Sequence, residues 1–186
     1  MKNNPELSLT VLLGFVLLLR PGEVLTMRIE PFRFLSKDLM SVKVWGKNSA
    51  RTGEWESVLL KDPVLIQIIV NKQKAGEDYL FNNSSYAFNK FYREAVDHYR
   101  VEHRKPTPHG VRRGGATWHF GLYGSYDKTQ DHGRWNQLKS ARLYIDLSTT
   151  ATAEAKLVDP GPTRLHDAQL LFQKMLLRFF PSPSHP

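Results

Sequence analysis

The 186-residue chain has no cysteine, which excludes disulfides, thiol nucleophiles and cysteine-ligated metal and leaves the compartment open. It also lacks both glycine-rich phosphate loops: neither GxxxxGK followed by Ser or Thr, nor GxGxxG, occurs anywhere. The histidines are poorly placed for metal, since His98 with His103 and His119 with His132 lack a compact arrangement with carboxylate support. No cofactor and no metal are therefore expected. Acidic residues are few, 18 against 26 Lys and Arg, and the resulting +8 charge favours a polyanionic partner, with nucleic acid ahead of an anionic membrane surface. Long apolar runs are missing too. "LSLTVLLGFVLLL" (7–19) falls short of the ~20 residues that a membrane span needs. It leads into "RPGEVLTMR" with no small-residue cleavage site, so a buried helix turning at Pro21-Gly22 fits better than a secretory signal. Neither secretion nor a membrane partner is expected.

The length suits one domain with a real core. The pattern predicts a buried helix over 6–20 and a second helical turn over 23–28. The β-rich runs "DLMSVKVWG" (38–46) and "EWESVLL" (54–60) read as a hairpin with Lys47 at its turn. A helix over 63–73 should start from Asp62 as N-cap, followed by helices over 85–101, from His109 to about Phe120, and over 137–147. A short helix is possible within "GLYGSYDKTQDHG". Residues 165–180 are expected to form a strongly amphipathic terminal helix, and 181–186 a disordered tail. The fold class expected is α+β, mostly helical, with a small antiparallel sheet near the N-terminal third.

Taken singly, Arg20, Lys47, His109, Arg112, Trp135 and Tyr144 each have a bland structural explanation. As a set they suit phosphoryl transfer on a nucleic-acid backbone. Two guanidiniums can grip the non-bridging oxygens by paired hydrogen bonds, and an imidazole or indole N–H adds a further donor. A lysine on a hairpin can protonate the leaving 5′-oxygen, and a tyrosine hydroxyl can attack phosphorus and store the bond as a phosphotyrosine ester. Cationic side chains carry the electrostatic load without metal.

In this order along the chain, the set resembles the catalytic domain of the tyrosine recombinases, the family of the phage integrases and Cre. "LLGFVLLLRPGEVLTM" resembles the first-arginine motif, with Arg20 and Glu23; "VKVWGKNSARTGEWESVLLKD" resembles the lysine hairpin, with Lys47. "PHGVRRGGATWHF" is similar to the His-x-x-Arg box, with His109 and Arg112, and Gly114 and Gly115 behind them permit close packing. "HGRWNQLKSARLYIDL" resembles the terminal box, in which Trp135 precedes Tyr144 by nine residues. Trp at that position is closest to Cre-like and eukaryotic mobile-element recombinases. The resemblance covers residues 8–147 and implies a catalytic domain over 1–180 that cleaves and rejoins DNA through a 3′-phosphotyrosine intermediate. It also implies double-stranded DNA as partner and self-association on it, with Glu23 orienting rather than reacting.

Three departures bear on that expectation. The family's N-terminal DNA-clamping domain is expected to be missing. Asn48 stands where relatives often carry Thr, which leaves Lys43 as the competitor of Lys47. The terminal helix, which in the family often packs on a neighbouring protomer, can equally fold back on its own core. Two further readings stay open: an inactive DNA-binding relic of a mobile element, and a type IB topoisomerase-like enzyme. The compartment expected is the nucleus for a eukaryotic source and the cytoplasm for a prokaryotic one.

Overall fold

Pro5 in the first turn and Asn4, whose side chain accepts the Leu7 amide at 3.1 Å, start helix α1 (Pro5–Val16). This computed structural model describes residues 4–30, 32–46 and 49–145. Helix α1 is shorter than the expected 6–20. Leu18 turns left-handed (φ 50°), and Arg20 is extended, as the residue before a proline prefers. Pro21 then opens α2 (Pro21–Leu25), which replaces the turn expected at 23–28. No residue of α1 is exposed; Leu19 is buried, while Leu12 and Val16 are partly covered.

The sheet has three antiparallel strands in the order β1 (Phe32–Ser36), β2 (Leu39–Val44), β3 (Glu56–Leu60). The expected hairpin is β2 with β3, paired Met40↔Leu60, Val42↔Val58 and Val44↔Glu56. Met40, Val42, Val44, Val58 and Leu60 are all buried, as the two-residue period of a strand requires. Lys43, paired with Ser57, falls on the opposite face. Strand β1 was not anticipated, because only Phe32 of its five residues is buried and an edge strand of that kind carries no alternation. Between β2 and β3 lies a single helical turn, α3 (Ser49–Thr52), rather than a tight hairpin. Lys47 and Asn48 lie outside the described residues.

Asp62 caps α4 (Pro63–Lys74) as expected, accepting the Leu65 amide at 2.9 Å. Ser84 caps α5 (Ser85–His98), and Pro108 opens α6 (Pro108–Tyr123), which ends at left-handed Gly124. The possible short helix is α7 (Tyr126–Gly133), and the Tyr144 helix is α8 (Leu138–Tyr144). The helix expected at 165–180 and the tail lie outside the described residues. One core joins α1, α2, the inner face of the sheet and α4 through Leu9, Leu13, Leu17, Val42, Leu60 and Ile69. A second gathers Leu18, Ala116, Trp135, Ala141 and Ile145 where α6, α7 and α8 meet the end of α1. Among the described residues, no helix is long and apolar enough to cross a membrane.

Candidate active site

The Arg20-x-x-Glu23 spacing first makes a helix cap. One carboxylate oxygen of Glu23 reaches back to the Arg20 amide (2.8 Å), while the other holds the Arg20 guanidinium (2.5 Å). The carboxylate is buried and the Arg20 side chain one-third exposed, so this guanidinium is held at the surface by a carboxylate beneath it.

His109 and Arg112 lie three residues apart near the start of α6 and therefore on one face. His109 is exposed, whereas Arg112 is entirely buried. One terminal nitrogen of Arg112 donates to the Leu18 carbonyl and the other to the Gly133 carbonyl at 2.6 Å. Its guanidinium stacks on the Trp135 ring at 4.6 Å, and its Nε–H has no partner among the described residues. Burial, reinforced by Arg20 and Arg134, lowers its pKa to about 10, so it stays cationic at neutral pH.

Arg112 is one of three side chains that close the end of α1. A helix leaves its last carbonyls unpaired. Here His132 bonds the Val16 carbonyl (2.8 Å), Arg134 donates to Leu17 (3.2 Å) and Arg112 to Leu18. Positive charge is also favoured at a helix C-terminus. The same contacts lock α6 and the α7–α8 junction onto α1, and so fix the distance between the Arg20 and Arg112 motifs.

Sequence reasoning missed Arg134 and Glu56. Arg134 is 8 % exposed and donates to Glu23 (2.8 Å) and Glu56 (3.2 Å) as well as to Leu17. It follows α7 in a left-handed conformation (φ 57°), outside any helical periodicity, so no pattern marks it. Glu56 did leave a signal: it shares the buried face of β3 with Val58 and Leu60, and a carboxylate there needs a cationic partner. Gly46, two residues past the end of β2, lies beside the same carboxylates, its Cβ position 2.7 Å from Glu56 Oε2 and 3.2 Å from Glu23 Oε1.

Trp135 is buried and pinned through its backbone, its amide donating to Gln130 (3.1 Å) and its carbonyl accepting from the Gln130 side chain (2.9 Å). Gly133 makes room for its ring, since a Cβ there would stand 1.8 Å from it. The nine-residue spacing then brings Tyr144 onto Trp135, with ring centroids 5.0 Å apart. The Tyr144 hydroxyl meets His109 Nε2 at 2.8 Å, and its ring also faces Arg112 at 5.9 Å. Thr117 of α6 donates to the Tyr144 carbonyl (3.2 Å), tying the end of α8 in place. Burial lowers the His109 pKa, and the Arg112 and Arg20 charges lower it further, so its imidazole is neutral at pH 7 and able to accept a phenol proton.

The structure thus gathers Arg20, Glu23, His109, Arg112, Trp135 and Tyr144 into one neighbourhood, open to solvent at Arg20, His109 and Tyr144. None of these residues lines the 690 Å³ cavity, which lies between β3, α6 and α7 around Leu59, Trp118 and His132.

The same arrangement of elements occurs in the XerH site-specific recombinase. Its pre-cleavage complex with the difH substrate matches 82 % of this chain and 47 % of its own, with a TM-score of 0.62 at 17 % identity. The fold is that of a tyrosine-recombinase catalytic domain. The post-cleavage complex of XerH with palindromic difH matches 83 % of this chain and 45 % of its own, with a TM-score of 0.64 at 18 % identity. The chain spans about half the length of these recombinases. No family model matches the sequence, and no curated protein does. Within the recombinase fold, the mostly helical architecture and its small antiparallel sheet are as the sequence predicts.

Next to the site, His119 and His132 stack with centroids 4.5 Å apart. Burial lowers both pKa values, that of His119 to about 4, with His132 and Lys61 contributing. Both groups are depressed below their unfolded values, so as the pH drops from about 6.5 to 4 the unfolded chain binds more protons and stability is lost. A loss of about 2–3 kcal/mol is expected across that window. Urea midpoints at pH 7.5 and 5.0 should differ accordingly, and His119→Gln should narrow the gap. Identical midpoints would show that the pair does not titrate in this way.

Proposed function

We propose that the chain is a DNA strand-cleaving and rejoining enzyme of the tyrosine-recombinase type, acting through Tyr144. The observation that carries this reading is the Tyr144 hydroxyl held 2.8 Å from His109 Nε2, with its ring 5.0 Å from that of Trp135 and facing the Arg112 guanidinium at 5.9 Å. Tyr144 Oη forms a bond to phosphorus as the bond from phosphorus to the 5′-oxygen breaks. The phenol proton passes to His109, and Lys47 (or Lys43 in its place) supplies a proton to the leaving 5′-oxygen. Arg20 faces the phosphate from the solvent side. The Nε–H of Arg112, unpartnered among the described residues, is a donor in reserve for charge that develops on the non-bridging oxygens of the phosphate. Trp135 packs behind the guanidinium and the tyrosine. Rejoining reverses these transfers with a 5′-hydroxyl as nucleophile.

The +8 charge supports engagement of the DNA backbone, and the reading includes self-association on double-stranded DNA during recombination or integration. Trp135 supports the Cre-like, mobile-element branch of the family. The reading is tested by incubation with nicked suicide duplexes followed by detergent denaturation. A protein–DNA adduct that forms with the natural chain and not with Tyr144→Phe is the expected result. Salt-sensitive binding with no adduct would instead favour the relic. Adducts at all duplex sequences, with relaxation of supercoils, would favour topoisomerase-like chemistry.

A further inference from the structure

We infer that Arg134 is a positioning residue of the site: through Glu23 it sets the direction of Arg20. This rests on the strand-cleavage reading above. Glu23 is the shared anchor, contacted by Arg20 at 2.5 Å, Arg134 at 2.8 Å and Arg112 at 3.7 Å. Arg134 bridges Glu23 to Glu56 on β3 and to the end of α1 at the Leu17 carbonyl. One guanidinium therefore ties together the three elements that frame the site.

Charge points the same way. Among the described residues, three guanidiniums (Arg20, Arg112 and Arg134) meet at Glu23, and Arg134 also reaches Glu56. The backbone is equally telling. At φ 57° glycine would sit without strain, yet an arginine stands there with its side chain 4 % exposed and hydrogen-bonded to two carboxylates and a carbonyl.

The test compares the full chain with Arg134→Gly and Arg134→Lys. Melting curves establish folding, and adduct formation is timed at saturating nicked duplex alongside duplex affinity. The Nε–H signal of Arg112 is followed by NMR without DNA. Arg134→Gly, well suited to the backbone, should fold and bind duplex within about threefold of the natural chain, yet form adduct at least ~30-fold more slowly. Arg134→Lys restores charge without the fork and should recover only in part, remaining about three- to tenfold slower than the natural chain. In the glycine variant the Arg112 signal should broaden or shift. A folded Arg134→Gly that cleaves within about twofold of the natural chain, with the Arg112 signal unchanged, would overturn the inference. If the glycine variant fails to fold, the lysine variant decides: unchanged rate and unchanged Arg112 signal would overturn it. If the natural chain forms no adduct, the cleavage reading fails separately. The Arg112 signal then decides whether Arg134 positions the cluster.

Discussion

Gly115→Ala should lower stability by about 3 kcal/mol or more, while Gly114→Ala should be nearly neutral. A Cβ at 115 would lie 2.1 Å from the Phe15 carbonyl oxygen and 2.7 Å from Leu18 Cδ2. The first contact is backbone inside α1, so relief requires moving the whole helix away from α6. At 114 the nearest atom is the edge of the Phe15 ring at 3.4 Å, an ordinary contact. There the gain in helix propensity over glycine, about 1 kcal/mol, offsets mild crowding. The Gly115 substitution also reaches the site, because separating α1 from α6 stretches the bond from Arg112 to the Leu18 carbonyl. Urea denaturation of the two variants measures the difference. Equal effects would show that the α1–α6 approach is looser than described here.

Arg112→Met should remove adduct formation by at least ~10³-fold and cost about 2–4 kcal/mol of stability. The stability loss follows from geometry: the carbonyls of Leu18 and Gly133 lose buried donors, and Trp135 loses its stacked cation. Arg112→Lys separates the two roles. A lysine keeps the charge but cannot span both carbonyls, so that variant should stay folded, bind duplex nearly normally and still lose about 10²-fold in rate. Binding is spared because Arg112 is wholly buried and the backbone of DNA is met by exposed cations. If Arg112→Lys lost binding and cleavage equally, Arg112 would be a folding or binding residue only.

Much of this was legible before any coordinates, for identifiable reasons. Helix starts were marked by local chemistry: Asp62 before Pro63 gave α4 its correct origin, and the period of Met40, Val42 and Val44 located β2. The His109–Arg112 pair is legible because three-residue spacing on a helix puts both side chains on one face, and Arg20–Glu23 because it matches the first-arginine motif of the resembling family. What stayed hidden depended on contacts between distant segments. Arg134 lies outside every periodicity and acquires its role only when α1, β3 and α7 meet. Closure of the α1 carbonyls by His132, Arg134 and Arg112 has no local signature at all. The burial of Arg112 was likewise unreadable, since a basic residue at a helix start is ordinarily solvated. Gly115 was read together with Gly114, and only the packing of α1 separates a required glycine from a tolerated one.

The most direct test is to identify the residue that carries DNA. After trapping on a nicked duplex and exhaustive digestion with nuclease and protease, mass spectrometry should find the nucleotide remnant on Tyr144 and nowhere else. A remnant on another residue, such as Tyr126, or its absence from a chain shown to bind and nick the duplex, would contradict phosphotyrosine chemistry at this site.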